Sequence, residues 1–129
     1  MRKFDYSFLN NALLPASLIN LTSSIATLKT MAETFANCDS LEELPSVNCE
    51  NLESMRSTFA GCDSITNIPE GFWDNCPNVT DVRGLFRNCT GITGRVPELW
   101  KIERITEYEG CFEGCINAEN YDDIPDDWK

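Results

Sequence analysis

Seven cysteines and no histidine set the first limits on what this chain can catalyse. Four of the thiols, Cys38, Cys62, Cys89 and Cys115, close one phrase, Phe-x-x-Cys, that begins at Phe35, Phe59, Phe86 and Phe112. Cys49 and Cys76 share a second phrase, Asn-Cys-x-Asn followed by an aliphatic residue. Thiols ligate zinc, pair as disulfides or act as nucleophiles. Zinc sites favour close Cys-x-x-Cys pairs or histidine, and the nearest pair here is Cys111 and Cys115. Disulfide frameworks of secreted chains come in even numbers. Volume explains a repeat position that always holds cysteine, because a thiol is a small apolar filler. The reading is buried free thiols in a reducing, cytoplasmic compartment, with no metal site and no cofactor.

Carboxylates are the second group able to do chemistry. Pairs such as Glu42-Glu43 and Asp122-Asp123 have the residue types of a glycosidase or a cation site. They are sequence neighbours on a solvated surface, and the acidic run near the end lacks a glycine-centred calcium spacing. Without histidine there is no imidazole base for a triad, and no glycine-rich phosphate loop is present. The chain is therefore read as not an enzyme.

Charge points elsewhere. The net charge is −11. Residues 1–30 carry Arg2, Lys3 and Lys29 against Asp5, so the remainder carries −13. From Glu107 to Trp128 there are eight carboxylates and no lysine or arginine. Such a field repels nucleic acid and anionic membrane and speeds encounter with a basic protein. The plainer alternative is solubility. Trp73, Trp100 and Trp128 each follow a proline by three or four residues. They suit either packing over a turn or anchoring of a partner. The candidate partner-binding residues are Glu42, Glu43, Asp63, Asp74, Glu119, Asp122, Asp123, Asp126 and Asp127, with Trp73, Trp100 and Trp128.

The repeat must position these groups. The phenylalanines follow one another at intervals of 24, 27 and 26 residues, which fits one coil of a repeat stack. Around them Leu28, Met31, Phe35 and Cys38 recur as Leu52, Met55, Phe59, Cys62, then Val79, Val82, Phe86, Cys89, then Ile105, Tyr108, Phe112, Cys115. Offsets of 0, 3, 7 and 10 predict one stripe of a helix. Glu53, Ser54, Arg56 and Ser57 fall on its solvated face. Asn37, Gly61, Asn88 and Gly114, just before the cysteines, favour a left-handed backbone and predict the helix ends. Asn51 and Asn78 predict helix caps. Residues 41–44, 65–68 and 92–96 read as short parallel strands, each closed by a proline.

With these residues in view, the chain resembles the BspA-like (Treponema-type) leucine-rich repeats of bacteria. The resemblance rests on Met31 to Cys38 and Met55 to Cys62, each followed by an aliphatic segment and proline, and covers about residues 28–125. Val82 and Tyr108 replace methionine in the later copies, and their post-cysteine spacing is stretched. The resemblance implies protein–protein interaction without catalysis. Residues 4–29 also resemble the start of some Fic-family proteins, but the histidine of that family is missing and no function carries over. The expected fold is α/β: a short leucine-rich-repeat solenoid, each coil one short helix plus one short parallel strand. A helical cap over residues 1–27 precedes about four BspA-like repeats over 28–129. No run of about 18 apolar residues suggests a membrane helix, and the opening residues do not read as a secretory signal.

The leading functional expectation is a binding module whose acidic surface holds or inhibits a basic protein. A nucleic-acid-binding enzyme is the sharper form of that partner, as for mobile-element or anti-CRISPR inhibitors. The alternative is a fragment of a bacterial surface adhesin that recognises a host protein.

Overall fold

The computed structural model describes residues 30, 32, 33, 35–44, 50–69 and 71–129. The predicted N-terminal cap, residues 1–27, lies outside the described residues.

The predicted helix-plus-strand coil is not what the described residues build. Among the described residues there is no strand, and the longest helical element is the four-residue 3-10 turn Phe72–Asn75. Three further 3-10 turns follow at Leu99–Lys101, Tyr121–Asp123 and Asp126–Trp128. Residues 41–44, 65–68 and 92–96 form no strands. Asn78 caps no helix; its Nδ2 donates to Glu50 O at 2.7 Å, one coil away.

Where a helix was expected, the chain makes consecutive tight turns. Thr58 N–H donates to Met55 O, Ala60 to Ser57 and Cys62 to Phe59, each at 3.1–3.2 Å. The backbone is left-handed at Ser57 (φ 53°) and Gly61 (φ 76°). A positive φ at the third residue of a hydrogen-bonded four-residue turn is the type II signature. The same spacing recurs at Glu33 and Asn37, Gly84 and Asn88, and Gly110 and Gly114. Two left-handed residues four apart forbid an α-helix, because a positive φ is incompatible with the right-handed helical dihedrals that its hydrogen-bond ladder needs.

The remaining N–H groups point along the stack. Met55, Ser57, Phe59 and Gly61 donate to Asp81, Arg83, Leu85 and Arg87 O, at 2.7–3.0 Å. Val82, Gly84, Phe86 and Asn88 donate to Glu107, Glu109, Cys111 and Glu113 in the same way. Alternate residues thus bond within the turn and to the next coil, and the buried backbone is satisfied without helix or sheet. Isolated parallel bridges join Thr30 to Ser54, Ser54 to Asp81 and Asp81 to Glu107, which fixes the register of one copy over the next.

That register stacks like side chains on like. The rings of Phe35, Phe59, Phe86 and Phe112 lie 5.5, 5.8 and 5.9 Å apart with interplanar angles of 10° or less. Trp128 ends the column, 6.3 Å from Phe112, and its N–H-bearing neighbour coil is replaced by the 3-10 turn: Phe112 N–H donates to Trp128 O at 2.7 Å. Thr58, Leu85 and Cys111, which the helical stripe left outside, are fully buried beside the rings. Further round the coil, Asn120 substitutes for a paired backbone. It is buried, its Oδ1 accepts from Val96 N–H at 2.9 Å and its Nδ2 donates to Val96 O at 3.1 Å.

Candidate interaction surface

The thiols belong to the stack. Cys38, Cys62, Cys76, Cys89, Cys111 and Cys115 are buried free thiols; Cys49 lies outside the described residues. Cys62 Sγ donates to Phe35 O at 3.0 Å, Cys89 Sγ to Phe59 O at 3.1 Å and Cys115 Sγ to Phe86 O at 3.0 Å. Each thiol therefore ties its turn to the preceding coil. Burial pushes the Cys38 thiol up to about 11 and those of Cys62 and Cys115 to about 12. Burial also raises Cys89 and Cys111. Groups held so firmly as thiols are poor nucleophiles and poor metal ligands.

Two of the three tryptophans are core residues. Trp73 and Trp128 are buried, Trp73 edge-on to Phe72 and Phe86 and Trp128 stacked on Tyr108 at 4.7 Å. Neither can enter a partner's pocket. Trp100 is half-buried, edge-on to Phe112 and Trp128. Packing accounts for Trp73 and Trp128, while Trp100 keeps part of its surface exposed.

Glu42, Glu43, Asp63, Glu119, Asp122, Asp123, Asp126 and Asp127 are all exposed. The backbone of Asp74 lies in the 3-10 turn Phe72–Asn75, and its side chain lies outside the described residues. These groups do not form one site. Glu42 and Glu43 follow the first Phe-x-x-Cys turn and Asp63 the second. Glu119 is within 3.9 Å of Arg95. The four aspartates come together at the C-terminal end, on the turns Tyr121–Asp123 and Asp126–Trp128. None of the four is ion-paired among the described residues. The nearby cation is engaged elsewhere: Lys129 Nζ lies 4.6 Å over the Tyr121 ring and donates to Tyr121 O at 3.4 Å.

Most basic groups along the stack are likewise occupied. Arg83 holds Asp81 through two bonds, Nε to Oδ1 at 3.0 Å and Nη2 to Oδ2 at 2.8 Å, and Ser54 Oγ donates to the same carboxylate. Burial pushes the Asp81 carboxyl up, but the Arg83 hydrogen bonds outweigh it and hold it below its usual value. Lys101 pairs with Glu98 at 2.8 Å, and Arg87 Nε lies 3.4 Å from Glu113. Arg104 fastens the other side, donating to Val79 O and Cys76 O at 3.2 and 2.9 Å. The uncompensated surface charge is mostly negative and is densest at the last turns.

A family model described as Mycoplasma protein of unknown function, DUF285, matches residues 7–128. The chain belongs to that family. No curated protein and no solved structure matches this DUF285 chain. The matched span contains every Phe-x-x-Cys turn and the terminal Trp128, so the whole described stack lies inside the family's extent. Among the described residues, no helix is long and apolar enough to cross a membrane.

Proposed function

We propose that this DUF285 chain is a non-enzymatic protein-binding module whose acidic surface holds a basic protein partner. The observation that carries the reading is the group Asp122, Asp123, Asp126 and Asp127, exposed and without ion-pair partners among the described residues. A rigid platform supports the group: Gly110 N–H donates to Asp127 O at 3.1 Å, and Trp128 beneath it is buried. Rigid, like-charged groups steer an oppositely charged partner without an ordering penalty. A nucleic-acid-binding enzyme is the sharpest form of that partner, since its basic groove is built for a row of fixed negative charges. The repeated Phe-x-x-Cys phrase favours placing the chain near the BspA-like repeat proteins, which are interaction proteins. Six buried thiols, five of them with ionisation raised by burial, favour a reducing, cytoplasmic setting.

Affinity capture tests the reading. The chain and a variant with all four aspartates changed to asparagine are compared as baits, at about 0.1 M and 1 M salt. The Debye length falls between these from about 10 to 3 Å. A basic protein that is retained at low salt, and lost both at high salt and with the variant, is the expected result. Capture indifferent to both changes contradicts an electrostatic docking surface.

A further inference from the structure

On this chain of net charge −11, three arginines meet at one spot. Arg56, Arg83 and Arg87 line a cleft of about 160 Å³ together with Ser57 and Glu109. That is room for roughly five waters at about 30 Å³ each, or for one small ion and part of its hydration. The residues come from three successive coils, and the inter-coil bonds assemble them. Ser57 N–H donates to Arg83 O at 2.9 Å, Gly61 N–H to Arg87 O at 2.7 Å and Gly84 N–H to Glu109 O at 3.1 Å.

Each arginine is presented differently. Asp81 grips one edge of the Arg83 guanidinium and so fixes its orientation. Arg87 lies across two glycines: a Cβ on Gly84 would stand 3.3 Å from its Cζ, and one on Gly110 would stand 3.1 Å from its Nη2. Its Nε is buried and makes no hydrogen bond, lying 3.4 Å from the Glu113 carboxylate with which it ion-pairs. Arg56 is exposed, and no carboxylate among the described residues lies within ion-pair distance of it. The Ser57 hydroxyl sits at the same glycine column, 3.1 Å from where a Gly84 Cβ would be. Guanidinium forks and a hydroxyl lining one cleft are the donors that bind tetrahedral oxyanions.

Glu109 selects among such anions. A carboxylate repels an oxyanion that carries no proton, and accepts a hydrogen bond from one that does. Sulfate has no proton at neutral pH; inorganic phosphate has one or two. We propose that the cleft is a phosphate site, in which Arg56, Arg83, Arg87 and Ser57 donate to the anion and Glu109 accepts its hydroxyl proton. The site is independent of the acidic docking surface, and either can stand without the other.

The test is a titration of the full chain at pH 7 in low chloride, followed by the amide shifts of Ser57, Gly84 and Gly110. The probes are inorganic phosphate, O-phosphoserine and sulfate. Phosphate is expected to saturate, with sulfate at least about fivefold weaker. Phosphoserine, whose second pKa is about 6, is mostly without a phosphate proton at pH 7 and is expected to bind about as weakly as sulfate; saturation as tight as that of inorganic phosphate overturns the role given to Glu109. Arg56→Ala and Ser57→Gly weaken phosphate at least about fivefold, while Arg95→Ala leaves it unchanged. Ser57→Gly keeps the fold, because φ at that position is 53° and the next two coils use glycine there. Glu109→Gln removes the preference over sulfate. Shifts that never saturate, or phosphate binding unaltered in both Arg56→Ala and Ser57→Gly, overturn the proposal. Equal binding of sulfate by the unmodified chain overturns it too.

Discussion

Phe59→Ala probes the stacked column directly. The ring is 1% exposed, so truncation removes the whole side chain from the core. Losses for buried phenylalanine run to about 3–5 kcal/mol. Phe59 also stacks on Phe35 at 5.5 Å and Phe86 at 5.8 Å and meets Phe72 edge-on at 6.3 Å. Ring pairs add about 0.5–1.5 kcal/mol each beyond buried area. Collapse cannot recover much of this. The neighbouring coils are held apart by the bonds from Phe35 N–H to Thr58 O and from Phe59 N–H to Leu85 O, both 3.0 Å. The expected cost is therefore at the upper end, about 5 kcal/mol. With a urea slope of about 1.5 kcal/mol per molar, the unfolding midpoint falls by roughly 3 M. Total stabilities of about 5–15 kcal/mol leave little margin, so Phe59→Leu is measured beside it, with an expected loss of about 1.5 kcal/mol. An alanine variant that loses less than about 1 kcal/mol would refute the stacked core.

Three further outcomes are expected. Gly61→Ala destabilises by about 1–2 kcal/mol in urea unfolding, because φ is 76° there and a Cβ would meet the Asn37 side chain; a neutral result would mean that this turn is not left-handed. Asp81→Asn costs about 1–3 kcal/mol at pH 7 by unpairing Arg83. The folded carboxyl lies below its ordinary value of 3.8, so its contribution is complete above that pH and is lost as pH falls through the folded value. The stability gap between the two proteins should accordingly narrow below about pH 4, and a gap that widens in acid would reverse the sign of the argument. For the thiols, ionisation at about 11–12 leaves roughly one in a thousand or fewer as thiolate at pH 8. Disulfide-reagent labelling of the native chain should be slow at all six described cysteines and rapid in guanidinium; fast native labelling of several would place them at the surface.

Much of the stack was legible from particular residues. The interval between phenylalanines set which residues share a column, and the structure stacks those rings. Asn37, Gly61, Asn88 and Gly114 were read as left-handed, and they are. Their meaning was misjudged: each ends a turn, not a helix. A contrary signal was present in Gly84 and Gly110, which sit where a helix interior tolerates glycine poorly. Those positions also leave room for Arg87, so the arginine cleft escaped a reading that placed Arg56 and Ser57 on a solvated helix face. Asn120 escaped because its partner, Val96, lies 24 residues away and no local pattern names it.

The amino-acid order alone dictated the period, the apolar columns, the left-handed positions and the acidic balance, because these depend on residue type and spacing. Only the tertiary structure decided between helix and stacked turns. Intervals of three and four residues satisfy both, and the choice depends on where each N–H finds its acceptor. Here alternate N–H groups find it on a neighbouring coil, beyond the reach of any local rule. The same long-range pairing decided which tryptophans were buried and which arginines met.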